Sequence, residues 1–212
     1  MSCPFKCTCQ DAFGVVDCKG KQFSEIPSDL PGETEVLDLS ENNISSLLPL
    51  AFQDLHKLSL LHLDRNQLKN IDVDVFSSLQ GLQTISLSYN SVVDIDLSFI
   101  SNLPSFVHLD MANNKIKKIK AKNLIIPPKL LVVDLSKNPL DCCENAWLIN
   151  IGDVRIEGQC CFPTDLNGTE LEDLRPEQLN CTNKAINAAA AAKYTISVTV
   201  MCNFYTSMVS IF

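Results

Sequence analysis

A histidine, a serine and an aspartate recur at one fixed interval in this chain: His62, Ser86 and Asp110 stand 24 residues apart. Asp64 and His108 each lie two residues from a member of that set. A hydroxyl nucleophile, an imidazole base and an orienting carboxylate are the parts of an acyl-transfer centre. Two imidazoles with carboxylates nearby are ordinary metal ligands. Nothing else in the sequence completes either chemistry. His56, His62 and His108 are the only histidines, no G-x-S-x-G or H-E-x-x-H motif occurs, and no Gly-rich phosphate loop precedes a helical segment. Acyl transfer also needs an oxyanion hole and a pocket, and no motif supplies them. The chain is therefore expected to be no enzyme and to need neither metal nor cofactor.

The interval itself is the stronger signal. The pattern L-x-x-L-x-L-x-x-N-x-L is met by Thr34, Leu37, Leu39, Asn42 and Ile44, and again 24 residues on by Leu58, Leu61, Leu63, Asn66 and Leu68. Leu82, Ile85, Leu87, Asn90 and Val92 follow, then Phe106, Leu109, Met111, Asn114 and Ile116, then Leu130, Val133, Leu135, Asn138 and Leu140. A second column, Phe52, Phe76, Ile100 and Leu124, is accompanied by Leu55, Leu79 and Leu103. A sustained period of this length specifies a solenoid in which each repeat buries its apolar face only against its neighbours. The L-x-L alternation makes a short strand with its apolar residues inward. The five asparagines sit where the chain leaves the strand, with amides that can satisfy buried backbone groups, and so form an internal ladder and not a binding site.

Residues on the outward side of those strands are free of core duties and line the concave face. One column reads Asp38, His62, Ser86, Asp110 and Asp134; beside it run Val36, Leu60, Thr84, His108 and Val132 on one flank and Ser40, Asp64, Ser88, Ala112 and Ser136 on the other. Glu41, Arg65, Tyr89, Asn113 and Lys137 form the edge. Tyr89 and Arg65 are of the types that carry interface energy, and Leu60, Val36 and Val132 place apolar side chains beside an acidic row. The expected partner-binding set is Asp38, Leu60, His62, Asp64, Arg65, Ser86, Tyr89, His108, Asp110 and Asp134. Five strands about 4.8 Å apart give a face only about 19 Å long, short of the roughly 800 Å² per partner of a standard interface. Cap loops or a second copy, as in a homodimer, then have to contribute.

Ten cysteines bracket this middle: four fall in the first 18 residues, none between Cys18 and Cys142, five from Cys142 to Cys181, and the last is Cys202. The spacing C-x3-C-x-C-x8-C and the adjacent pair Cys142-Cys143 do not give the two-residue gap of a zinc site, so disulfides and an oxidising compartment are expected. Together the repeats and flanking cysteines resemble the extracellular leucine-rich-repeat family, the class of Slit, the Nogo receptor, Toll-like receptors and variable lymphocyte receptors. The N-terminal segment matches in C-P-x-x-C-x-C from Cys3, V-x-C at Val16 to Cys18 and I-P-x-x-L-P at Ile26 to Pro31. The C-terminal one matches in Asn138-Pro139, Trp147-Leu148, Cys160-x-x-Pro163 and Leu174 to Cys181.

The resemblance implies an α/β fold, a right-handed leucine-rich-repeat solenoid (a short horseshoe) with disulfide-bonded caps. Residues 1–32 form the N-terminal cap, 33–137 five repeats, 138–183 the C-terminal cap and 184–212 a tail. It implies the pairs Cys3 with Cys9, Cys7 with Cys18, Cys142 with Cys160 and Cys143 with Cys181. Cys161 and Cys202 stay unassigned, Glu144 stands where the family places a cysteine, and the five C-terminal cysteines permit other pairings. The function it implies is recognition of a protein ligand or receptor, as a secreted or cell-surface molecule. The alternative is a matrix protein that binds collagen or a glycosaminoglycan.

A net charge of −8 argues against a nucleic-acid binder, whose affinity needs clustered cations, and the basic residues are scattered but for one run. The basic run Lys115 to Lys122 is read as a solvated edge, with a sulfated sugar as its alternative partner. Asn43-Ile-Ser, Asn167-Gly-Thr and Asn180-Cys-Thr are glycosylation sequons, Asn43 the most open of them. Met1-Ser2-Cys3 does not read as a signal peptide, so the leader of a secreted chain is expected to be missing from this sequence, or the chain to be a fragment. The uncharged stretch Tyr194 to Phe212 approaches the length of a membrane span, which makes a membrane-anchor remnant one reading of the tail.

Overall fold

In the computed structural model, residues 3–179 except 122, together with Cys181, are described. Asn180 and the tail lie outside the described residues. Twelve short strands are formed among the described residues: β1 Thr8–Gln10, β2 Val15–Asp17, β3 Val36–Asp38, β4 Leu60–His62, β5 Thr84–Ser86, β6 Asp94–Asp96, β7 His108–Asp110, β8 Lys118–Lys120, β9 Val132–Asp134, β10 Leu140–Asp141, β11 Arg155–Glu157 and β12 Cys160–Phe162.

The three-residue strands follow from the repeat. In each, the central side chain (Leu37, Leu61, Ile85, Leu109 or Val133) is wholly buried, and its two neighbours face the other way. Successive strands pair in parallel with residues 24 apart in register, as in Leu37 with Leu61 and His62 with Ser86. After each strand the chain turns inward through one residue in the left-handed region: Glu41, Arg65, Tyr89, Asn113 and Lys137 have φ of 57°, 54°, 54°, 55° and 57°. None is a glycine, so the solenoid holds five side chains in a backbone region L-residues rarely visit.

That turn aims the next residue, the ladder asparagine, into the interior. Asn66 donates through Nδ2 to the carbonyls of Leu39 (2.9 Å) and Leu63 (3.1 Å) and accepts at Oδ1 from the N–H of Ile44 (2.9 Å). Asn90, Asn114 and Asn138 repeat the arrangement. Each amide thus satisfies groups of two turns at once, and no buried side-chain polar atom is left without a partner among the described residues.

The return path on the convex side carries the second apolar column. Phe52 and Phe76 stack at 5.9 Å, and Phe76 meets Phe99 at 5.5 Å. Phe99 and Ile100 both enter the core because Leu97–Asn102 is a 3-10 turn, opened by Asp96, whose side chain accepts from the N–H of Ser98 (3.0 Å). Among the described residues the helical segments are all of 3-10 type, so the helical half of the repeat is a tight turn, not an α-helix. No helix among them is long and apolar enough to cross a membrane.

Both ends of the stack are closed. At the N-terminus β1 and β2 form a hairpin. At its turn Gly14 takes φ +60°, where an added Cβ would meet the Glu33 carbonyl oxygen at 3.0 Å. Its own carbonyl accepts from the N–H groups of Glu35 and Val36, which starts the parallel pairing of β2 with β3. Cys3 is bonded to Cys9 and Cys7 to Cys18. At the other end β11 pairs with β9 and β10 with β12, and Cys142 is bonded to Cys160 and Cys143 to Cys181. These are the four pairs the resemblance implies; Cys161 is disulfide-bonded too.

Candidate partner-binding face

The concave sheet does not stop at the repeats. Its order is β1-β2-β3-β4-β5-β7-β9-β11, so a strand from each cap extends it. Seven parallel strands, β2 to β11, give a face about 29 Å long, against the 19 Å expected from five. The register places Val15, Val36, Leu60, Thr84, His108, Val132 and Arg155 in one row, and Asp17, Asp38, His62, Ser86, Asp110, Asp134 and Glu157 in the next. The cap strands supply the four members that the 24-residue period does not reach.

The third expected row differs. Ser40, Ser88 and Ala112 are buried, because the chain is already curling inward at that point, so they do not belong to the open face. The aspartates of the second row have a structural task as well. Asp17, Asp38, Asp110 and Asp134 each accept at Oδ1 from the backbone N–H two residues on, at 2.8 to 3.0 Å. These bonds satisfy the backbone where the strand ends, the ordinary Asx-turn device. They also fix the carboxylates in place along the face.

His62 and Ser86 interrupt that row, and they do not form a relay with Asp110. The Ser86 hydroxyl donates directly to Asp110 Oδ2 at 3.1 Å, and His62 Nδ1 lies 3.8 Å from Asp64 Oδ1, beyond hydrogen-bond reach. No group of three His, Cys, Asp or Glu side chains is placed to hold a metal among the described residues.

Asp64 stands half-buried in the third row, where the other repeats carry serine or alanine. Burial pushes its carboxyl above the usual carboxylate range; its own backbone N–H and His62 pull the other way and do not prevail. A raised folded-state pKa means that the folded protein binds this proton more readily than the unfolded chain. Ionised Asp64 therefore destabilises the fold above that pKa, and the penalty is relieved as pH falls through it. Asp64→Ser is expected to raise stability at neutral pH by on the order of 0.5 kcal/mol and to leave it unchanged at acidic pH, as thermal melts at the two pH values will show.

On the edge row, Lys19 Nζ pairs with Glu41 at 3.3 Å, and the Arg65 guanidinium lies 4.1 Å over the Tyr89 ring. Tyr89 is 43% exposed, Leu131 beside β9 59%, and Leu60, Val36, Val132, His62 and His108 are half-buried. Within the basic run, Lys118 pairs with Glu144 at 2.5 Å and Lys120 with Asp94 at 4.0 Å, while Lys122 lies outside the described residues. Asn43 is exposed, with Oδ1 accepting from Gln67 Nε2 at 3.2 Å, and Asn167 is exposed in a C-terminal turn.

Two features escaped the periodicity. Asn145, buried, donates to the carbonyls of Lys117 and Asp141 and accepts from the N–H of Ile119, all at 2.8 Å, and so ties the C-terminal cap to the last convex strand. An open groove of about 660 Å³ lies between β8 and the turn Ala146–Asn150, with Ile119, Leu124, Ile126, Trp147 and Ile151 among its lining residues.

The comparisons agree with this architecture. The family model described as Leucine rich repeat matches residues 31–68, 57–116 and 80–140. Over 61 residues the chain is 46% identical to mouse "Leucine-rich repeat and transmembrane domain-containing protein 1", a match that takes in 29% of this chain and 17% of that protein. Over 62 residues it is 44% identical to bovine "Leucine-rich repeat-containing protein 3B", again 29% of this chain and 24% of the relative. The match thus spans under a quarter of either relative's length. Among solved structures, that of TLR13 with ssRNA13 superposes with a TM-score of 0.67 at 25% identity, covering 75% of this chain and 24% of that one. With its family model matched from residue 31 to 140 and its repeats stacked strand by strand, the chain belongs to the leucine-rich-repeat family.

Proposed function

We propose that this solenoid is an extracellular recognition module, secreted or at the cell surface, that binds a protein through its concave face. One observation carries the reading: the sheet runs in register from cap to cap, so that apolar and carboxylate side chains from both caps join those of the repeats on a face about half as long again as the repeats alone supply. Val15, Val36 and Leu60 lie side by side next to Asp17 and Asp38, while Val132 lies beside Asp110, Asp134 and Glu157. The matching partner surface is basic and partly apolar. The mouse relative named for leucine-rich repeats with a transmembrane domain supports a surface location, as do the closed caps, whose disulfides suit an oxidising compartment. Sugars on Asn43 and Asn167 belong to the same reading.

The test is a binding screen of the secreted chain, displayed multivalently, against extracellular proteins. A hit is expected to lose at least about tenfold in affinity when Leu60 and Tyr89 are both replaced by alanine; undiminished binding by that variant overturns concave-face use. The matrix alternative makes the opposite prediction on a heparin column. With Lys118 and Lys120 already paired to carboxylates, flow-through at physiological salt is the expected result. Salt-sensitive retention favours the matrix protein instead.

A further inference from the structure

We propose that Arg65 is a docking fork for a single carboxylate on the partner, the one acidic contact within an otherwise basic and apolar complementary surface. The inference rests on the concave-face reading above and deepens it. Arg65 is fixed in the left-handed turn that follows β4, and its guanidinium lies on the ring of Tyr89, the residue at the same position one repeat on. A guanidinium whose carbon lies 4.1 Å over a ring contacts it through carbon and keeps N–H donors for another partner, donors whose paired geometry matches the two oxygens of a carboxylate.

Nothing nearby takes up those donors. Glu41, the carboxylate in the same row one repeat earlier, is held from its other side by Lys19 at 3.3 Å. Asp64, next to Arg65 in the chain, lies toward His62 and half-buried. Among the described residues the Arg65 guanidinium has no carboxylate partner, and it rests over the Tyr89 ring. A fork already held in place loses less rotamer freedom when it binds than a free side chain does. The location suits an anchor as well: β4 and β5 are the third and fourth of the seven parallel strands, at the middle of the face where binding energy concentrates. Arg65 stands amid Asp38, Asp64 and Asp110, whereas Lys19, Lys137 and Arg155 lie toward the ends of the sheet, so pairing an acid with Arg65 would help to fix the register of a basic partner.

The experiment selects peptides from a random phage-displayed library on the secreted full chain, keeps those whose binding falls in Leu60→Ala, and measures their synthetic forms on wild type, Arg65→Gln, Arg65→Lys and Tyr89→Leu. The retained peptides are expected to carry an Asp or Glu. Converting that acid to its amide should weaken binding to wild type by roughly tenfold, and should change nothing on Arg65→Gln, which has already lost the contact. Arg65→Lys, which keeps the charge but not the fork, should behave close to Arg65→Gln, and Tyr89→Leu should fall between. The Arg65 and Tyr89 variants sit on an exposed edge and should melt with wild type, and Leu60→Ala is used only where its melt shows it folded. Peptides that bind Arg65→Gln as tightly as wild type, or whose acid-to-amide change costs the same on both, overturn the fork and leave the concave face standing. If no selected peptide responds to Leu60→Ala, the concave-face reading fails, and the fork with it.

Discussion

Asn90→Ala is expected to lower the free energy of unfolding by about 2–4 kcal/mol, measured by urea denaturation. Its amide donates to the carbonyls of Leu63 and Leu87 at 3.0 Å each and accepts from the N–H of Leu68 at 2.9 Å, all inside the stack. Each carbonyl is shared with a second ladder asparagine, Leu63 with Asn66 and Leu87 with Asn114, so both keep one partner. The Leu68 N–H keeps none, and that orphaned donor is the main penalty. Asn90→Asp is the sharper variant. It retains an acceptor for Leu68 but replaces both donors with an ionised group aimed at carbonyl oxygens, and should be at least as damaging at neutral pH. A loss below about 1 kcal/mol for the alanine variant would mean that water enters the ladder and does the work assigned to the amide.

Phe76→Ala should be at least as damaging, about 3–5 kcal/mol. Its ring is wholly buried between Phe52 and Phe99 in the middle of the stack. Because every repeat is supported only by its neighbours, removing this ring weakens the coupling between the two halves as well as the repeat itself. The urea transition should therefore broaden in addition to shifting. Phe76→Leu, which retains most of the volume, should shift it much less. A sharp, merely displaced transition for Phe76→Ala would show that the caps and repeats unfold as one unit despite the gap.

Most of the solenoid could be read from the sequence because one constraint, burial against an identical neighbour, is imposed every 24 residues. Thr34 shows how far this reaches: a polar residue in a leucine position, buried, with its hydroxyl donating to the Pro31 carbonyl. Where the period lapses, so does legibility. Asp17 pairs with Asp38 and Asp134 with Glu157 at intervals that differ from the repeat, so the extension of the sheet into both caps left no mark in the spacing. Asn145 was hidden for the same reason, being placed by the cap and not by the ladder. On the face itself, the period identified which residues share a row but not how far each side chain emerges. Ser40 and Ser88 point inward where an ideal strand would carry on outward, since the left-handed turn has already begun to bend the chain. The stack of Arg65 on Tyr89 depends on two side chains of different type at one repeat position, which a pattern of like residues cannot encode.

The direction of the ladder has a mechanical meaning. Strand pairing and the asparagine amides both join one turn to the next, so the bonds lie along the axis and not across it. A pull between the caps loads every joint in series, and the weakest opens first while the disulfides at Cys7–Cys18 and Cys142–Cys160 keep the ends from peeling. Such a molecule is a spring whose stretch is divided among its turns, and a ligand lying across several of them would act as a splint: occupancy of the concave face would be legible, to whatever the caps are tethered to, as stiffness.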